Sequence, residues 1–326
     1  MASSLPQRRV GASGLLVSAV GLGCNNFGRS GTATESLDGT REVLAAAIDV
    51  GVTFLDTADI YGKQFGVSET LMGEALRGRR HEVILATKFG HADFAEPTLG
   101  GAMGSRLAVR RSVEASLRRL QTDWIDLYQL HTPDPATPID ETLDVLTDLV
   151  REGKVRYLGQ SNFAGWQIAE AELRTTPGVR FVSAQNQYSL LARAAEREVL
   201  PAVEHFGLGF FPFFPLHNGL LTGKFTREGG PASSRIMRQR SHVWRDAPWD
   251  ALDAYRTFCE ERNLTMLEAT FGWLLSRPAV SSVIAGATSI EQVTANAAAA
   301  TAWLPSADDL AAIDALFPLV RDPAAG

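Results

Sequence analysis

Eight apolar runs of strand length, separated by helix-patterned stretches, recur along most of this chain. They fall at residues 17–24, 53–56, 83–88, 125–131, 155–161, 181–186, 208–212 and 282–286. Parallel strands need long crossover connections, usually helices, so this alternation points to a parallel sheet. Eight units predict an α/β fold of the (β/α)8 TIM-barrel type. The intervening stretches carry helical periodicity. Residues 41–50 place Val43, Leu44, Ala47 and Ile48 on one face. Residues 107–120 place Leu107, Val109, Val113, Leu117 and Leu120 inward and four arginines toward water. Residues 141–151 space Leu143, Leu146 and Leu149 helically, with Gly153 as a C-cap.

Three segments lie outside the eight units. Residues 7–16 contain Gly11-Ala12-Ser13-Gly14 between two short β-like runs and predict an N-terminal hairpin on the barrel floor. Residues 223–249 form a long loop after the seventh strand, rich in Gly, Pro, Ser, Arg and Trp. A loop that long inside a compact unit is usually functional or mobile. Residues 307–316 read as an extra C-terminal helix. No linker divides the 326 residues, so one barrel domain over residues 1–326 is expected.

The net charge of −6 and the lack of a basic block argue against a nucleic-acid partner. No apolar run reaches the length of a membrane span, and the start has no signal-peptide pattern. A cytoplasmic protein is the expectation. Cys24 and Cys259 form no metal or redox motif, and the histidines show no ligand spacing, so no metal is expected.

Four residues sit at or just past the ends of successive strands: Asp56, Tyr61, Lys88 and His131. In a parallel barrel all strands end on one face, so these side chains would converge. A phenol, an ammonium, a carboxylate and an imidazole together can deliver a proton. For any one of them a structural role is as plausible; for all four in register it is not.

The motifs Gly21-Leu22-Gly23, Phe54-Leu55-Asp56-Thr57-Ala58-Asp59-Ile60-Tyr61-Gly62, Ala86-Thr87-Lys88 and Asp126-Leu127-Tyr128-Gln129-Leu130-His131 resemble the aldo-keto reductase superfamily. So do Gly159-Gln160-Ser161-Asn162-Phe163 and Leu220-Leu221-Thr222-Gly223-Lys224. The likeness spans residues 10–296 and leans toward the branch of bacterial general reductases and potassium-channel β-subunits. It implies reversible, NADPH-dependent reduction of an aldehyde or ketone. Tyr61 would give the proton, Lys88 would lower the phenol's pKa, Asp56 would hold Lys88, and His131 would orient the substrate oxygen. The alternative is a nicotinamide-binding regulatory or redox-sensing subunit acting through a protein partner. A steady-state assay separates the two.

Gly21-Leu22-Gly23-Cys24-Asn25-Asn26 lacks the third glycine of a Rossmann fingerprint, so loops must bind any dinucleotide. By resemblance, Ser161, Asn162 and Gln185 would hold the nicotinamide amide, and Phe213 would stack on its ring. Leu216 and Gly219 would also contact the cofactor, and Lys224 and the long loop after it would meet the phosphates. Arg235, with Arg238 and Arg240 nearby, is the candidate for the 2′-phosphate. Gly286, Thr288 and Gln292 lie in the last phosphate-and-adenine segment, with helix onset near Ser289. Asn296 matches an adenine contact, although Ala295 replaces the Glu common before it, and Phe214 replaces a common Ser.

Substrate specificity in this fold lives in loops. Residues 25–38, 89–106 and 225–249 are the expected walls, with Cys24, Asn25, Phe27 and Trp244 as pocket candidates. The substrate is a small carbonyl compound whose identity, like the oligomeric state, is not legible.

Overall fold

Alternating strands and helices close into a barrel in the computed structural model, which describes residues 5–92, 102–175, 179–232 and 234–319. A two-stranded antiparallel hairpin comes first, β1 (Gln7–Arg9) with β2 (Leu16–Ser18). The barrel strands are β3 (Val20–Gly23), β4 (Phe54–Asp56), β5 (Ile84–Phe89), β6 (Ile125–Leu130), β7 (Val155–Ser161), β8 (Phe181–Gln187), β9 (Gly209–Phe213) and β10 (Val283–Gly286). They run parallel in the order β10-β3-β4-β5-β6-β7-β8-β9. The seam between β9 and β10 is closed by a bridge from Phe210 to Val280, with Phe210 N–H donating to the Ala279 carbonyl.

The expected first strand, 17–24, is in fact two. Ser18 breaks it: its hydroxyl donates to the Val20 carbonyl and accepts from the N–H groups of Thr53 and Phe54. The half before it pairs in the hairpin and the half after it joins the barrel.

The helices packed around the barrel include α1 (Leu37–Asp49), α2 (Val67–Ala75), α3 (Arg106–Leu120), α4 (Ile139–Arg151), α5 (Gly165–Arg174), α6 (Val199–Phe206), α10 (Met266–Leu275) and α11 (Ile290–Ala302). Four of these helices, α1, α3, α10 and α11, start at side-chain caps, such as Ser36 accepting from Gly39 N–H before α1. α3 ends at Gln121 in the left-handed region, at φ 53°. Along α3, Val109, Val113, Leu117 and Leu120 are buried as the periodicity requires. Leu107 is not; it stands 45% exposed, and Ala108 takes the inward position.

The loop expected at 223–249 contains two short helices, α7 (Arg235–Gln239) and α8 (Ser241–Arg245). They rest on a small apolar cluster of Leu220, Phe225 and Ile236, with Trp244 and Trp249 against it. After it come α9 (Trp249–Glu260), α10 (Met266–Leu275), α11 (Ile290–Ala302) and α12 (Ala307–Leu316). The last matches the expected C-terminal helix in both bounds.

Side chains alternate in and out along each strand. Inward residues near the strand starts are apolar: Phe54, Ala86, Leu127, Phe211 and Ile284 pack on Val10, Leu15 and Val17 of the hairpin. Phe54 and Phe211 rings lie 4.9 Å apart. Burying each such aromatic contributes about 1.5–3 kcal/mol. Two residues further along β4, β5 and β6, the inward positions become Asp56, Lys88 and Gln129. The barrel interior thus passes from an apolar plug to a polar layer at the C-terminal ends of its strands. Gly159 lets this layer form, because a Cβ there would come within 2.5 Å of Ser183 Oγ and 2.9 Å of Gln129 Cγ.

Candidate active site

Lys88 is fully buried, and its Nζ donates to Asp56 Oδ2 at 2.6 Å and to the Thr57 carbonyl at 3.0 Å. The other Asp56 oxygen accepts from Gln129 Nε2 at 3.1 Å and Gln185 Nε2 at 3.0 Å. Three strands therefore anchor one carboxylate. Tyr61 lies above this pair, its ring centroid 5.3 Å from Lys88 Nζ. His131 meets the same ring edge-on, centroids 5.9 Å apart. His91 in turn meets His131 edge-on at 4.6 Å.

The electrostatics of the group follow from burial. Desolvation raises the Tyr61 phenol above its ordinary value, and Asp56 adds to this; the Lys88 ammonium pulls the other way without overcoming it. The expected lowering of the phenol is therefore outweighed, and Tyr61 is a protonated acid throughout the neutral range. Burial works to discharge Lys88, but Asp56 and Tyr61 outweigh it and hold the ammonium raised and charged. Burial, then Lys88 and His91, push His131 well below the ordinary imidazole value. His131 is neutral, and its Nδ1 is buried with no partner among the described residues. Such an arrangement can place one proton, from a phenol, beside a neutral imidazole and a fixed positive charge.

Above the group opens a cavity of about 1050 Å³. Asn25, Asp56, Tyr61, His131, Ser161, Asn162, Gln185, Phe213, Leu216, Gly219, Lys224, Arg235, Gly286, Thr288, Gln292 and Asn296 all line it. Lys88 sits beneath its floor. Three candidates are not on its wall. Cys24 and Phe27 are fully buried in the core between barrel and helices. Trp244 turns away to pack with Trp249 and donates its indole N–H to the Thr226 carbonyl. Of the expected wall 89–106, residues 93–101 lie outside the described residues.

The polar partners at the deep end can be counted. Asn162, at φ 62°, uses its amide nitrogen on the His131 carbonyl and Ser161 Oγ, which leaves its oxygen to accept. Ser161 donates to the Gln185 carbonyl. Gln185 has one amide hydrogen on Asp56 and a second to give. Two acceptors and a donor are what a primary carboxamide needs.

The outer end is cationic. Arg29, Lys224, Arg235 and Arg238 line it, and none forms an ion pair with a carboxylate among the described residues. Burial, then Arg29 and Arg240, pull the Arg235 guanidinium down to about 10, still charged at neutrality, and its Nε is buried with no hydrogen-bond partner among the described residues. Lys224 crosses Gly219, where φ is 101° and a Cβ would sit 3.1 Å from Lys224 Cε. Phe214, His217 and Asn218 also hold positive φ, so this wall stores backbone strain that the surrounding packing must maintain. Thr288 and Gln292, at the start of α11, line the same cavity; Ser289 caps that helix, and Thr288 N–H donates to Gln292 Oε1 at 2.8 Å. Cations with no ion pair among the described residues, on one cavity with a helix start, suit phosphoryl groups. A carboxamide socket, an aromatic ring at Phe213 and a cationic far end together fit a nicotinamide dinucleotide. Arg29 and His91 had no motif to announce them; only the folding of their loops against Tyr61 and His131 does so.

Comparison with known proteins agrees with this arrangement. An uncharacterized oxidoreductase, YrpG, of Bacillus subtilis (strain 168) is 38% identical over 296 residues, covering 87% of each chain. An L-glyceraldehyde 3-phosphate reductase of Escherichia coli (strain K12) is 32% identical over 321 residues, covering 94% of this chain and 91% of the relative. An NADH-specific methylglyoxal reductase of the same strain is 32% identical over 322 residues, covering 92% of this chain and 94% of the relative. Residues 19–317 match the profile of the aldo/keto reductase family, and with that extent of likeness on this barrel the chain belongs to the aldo/keto reductase family as an NAD(P)H-dependent oxidoreductase.

Proposed function

We propose that this protein reduces an aldehyde or ketone to the alcohol with NADPH, reversibly, and that Tyr61 supplies the proton. The observation that carries this reading is the joining of Tyr61, Lys88, Asp56 and His131 at the carboxamide end of one cavity. A reduced nicotinamide, when bound, supplies the hydride to the carbonyl carbon. Ser161, Asn162 and Gln185 would hold its amide, and Phe213 would stack on its ring. The residues of the chain do the rest. Neutral His131 donates to the substrate oxygen and sets its angle. Tyr61 donates its proton to that oxygen as negative charge develops there. Lys88, fixed by Asp56, stabilises the phenolate left behind. Steady-state turnover of NADPH with a panel of aldehydes and ketones tests the reading; no oxidation of cofactor with any carbonyl overturns it.

The choice of NADPH rests on this chain's own cations, since one relative is named as NADH-specific. Arg235 and Lys224 line the same cavity as Thr288 and Gln292. A 2′-phosphate gains charge-assisted hydrogen bonds worth about 1.5–3 kcal/mol each from such groups. Two of them give NADPH at least about a hundredfold advantage over NADH. Fluorescence titration of both cofactors into wild type and Arg235→Ala measures it. Equal affinities in the wild type remove the proposal; a preference that survives Arg235→Ala moves its source to Lys224 or Gln292.

A second expectation follows from the shifts at the deep end. His131 titrates well below 6.5 and the Tyr61 phenol above 10.0. The reductive direction needs His131 neutral and Tyr61 protonated, and both hold across the interval. The pH profile of kcat/KM for reduction should therefore be flat from mildly acidic to mildly alkaline pH. An inflection at an ordinary histidine value, absent when His131 is replaced by Asn, would contradict the assignment.

A further inference from the structure

Arg29 is not part of the proton-delivering group; it lies at the cationic end of the cavity, within electrostatic range of both Arg235 and Tyr61. It follows β3, in the loop that leads to α1, and lines the cavity. Two contacts set its place. Its Nη2 donates to the Asn25 carbonyl at 3.1 Å, which holds the guanidinium against its own loop. The neighbouring Gly28 carbonyl accepts from Lys63 N–H at 3.0 Å, which ties this loop to the one bearing Tyr61. Close packing enforces that junction, because a Cβ on Gly28 would lie 2.3 Å from Val67 Cγ1. Arg29 thus stands at the rim beside Tyr61.

Its charge has no carboxylate counterpart among the described residues. Nη1 is buried and has no hydrogen-bond partner among the described residues. Glu35, the carboxylate of the same loop, is engaged by Gly31 N–H, Ser30 Oγ and Lys63 instead. Arg240 lies near enough to repel Arg29, and Arg240 is held on Asn218 Oδ1 at 3.2 Å. Like charges gathered around a buried, unused donor are unfavourable until an anion arrives.

We propose that Arg29 is a specificity residue that binds an anionic group, carboxylate or phosphate, carried by the carbonyl substrate. The inference rests on the reductase reading above. A guanidinium offers such a group two parallel donors. Seated there, the anion would hold the substrate with its carbonyl toward Tyr61. The rival occupant of Arg29 is a phosphate of the cofactor.

The test compares matched substrates on wild type, Arg29→Ala and Arg29→Lys. The carboxylate arm uses 4-formylbenzoate and its methyl ester. The phosphate arm uses glyceraldehyde 3-phosphate and glyceraldehyde. Wild type should favour the anionic member of at least one pair by about tenfold or more in kcat/KM, the usual worth of a charge-assisted contact. The pair that shows it identifies the group. Arg29→Ala should erase most of that ratio, Arg29→Lys should keep part of it, and added salt should reduce it in wild type. Fluorescence titration of NADPH, with melting temperatures as a check on folding, separates the rival. A wild type with no anionic preference, or a preference intact in Arg29→Ala, overturns the proposal. So does a loss of NADPH affinity as large as the loss in kcat/KM, which assigns Arg29 to the cofactor. If the protein binds NADPH yet reduces neither member of any pair nor any other carbonyl, the reductase reading falls and this inference with it. Turnover of neutral carbonyls without anionic preference leaves that reading standing and removes only Arg29's role.

Discussion

Replacing Tyr61 by Phe is expected to lower carbonyl reduction by about 10²–10⁴-fold, the usual contribution of a positioned general acid. NADPH affinity should stay close to wild type. The ring remains in either case, with the Lys88 ammonium over its face and the edge-on contact to His131. Only the hydroxyl is lost, and with it the one proton that a raised phenol holds ready at neutral pH. Single-turnover rates with saturating NADPH isolate the chemical step from product release. A variant that turns over near the wild-type rate would remove Tyr61 from the role of acid and leave water as the donor.

What the sequence makes legible here is what repeats. Strand ends follow from alternation, and alternation places Asp56, Lys88 and Gln129 on the inside of the barrel at one level. That is why the proton-delivering group can be picked out before any coordinates. The features that escape depend on contacts between distant segments. Ser18 looks like part of a continuous strand, yet its hydroxyl takes hydrogen bonds from Thr53 and Phe54 and turns the chain. Trp244 looks like a pocket aromatic, yet Phe225, Leu220 and Ile236 form an apolar seat for it away from the cavity. The two helices of five residues each in that segment are too short to form alone and owe their existence to the seat. The lowering of the Tyr61 pKa by Lys88 is sound chemistry in water-like surroundings. In the folded site, desolvation is larger. Charge proximity can be read from sequence, but the depth of burial cannot.

Replacing Lys88 by Met should remove activity and destabilise the fold together, and the two effects have separable origins. Activity is lost because the phenolate left after proton transfer has no positive charge beneath it, a loss on the order of 10²–10⁴-fold. Stability is lost because Asp56 is only 3% exposed and loses its counter-ion. Breaking one side of a buried pair costs about 3–5 kcal/mol. Gln129 and Gln185 still donate to Asp56 Oδ1, so the loss should fall toward the lower end of that range. Urea unfolding at neutral pH reads the stability, and NADPH turnover reads the chemistry. The double variant Asp56→Asn with Lys88→Met separates them. Removing the stranded charge should recover most of the stability, because an amide of the same shape needs no counter-ion. Activity should not return, because the ammonium is still missing. An active Lys88→Met would contradict its part in proton transfer. A Lys88→Met as stable as wild type would show that the glutamine donors alone satisfy Asp56. Recovery of both properties in the double variant would mean that Lys88 serves only to neutralise Asp56, and that Tyr61 delivers its proton without it.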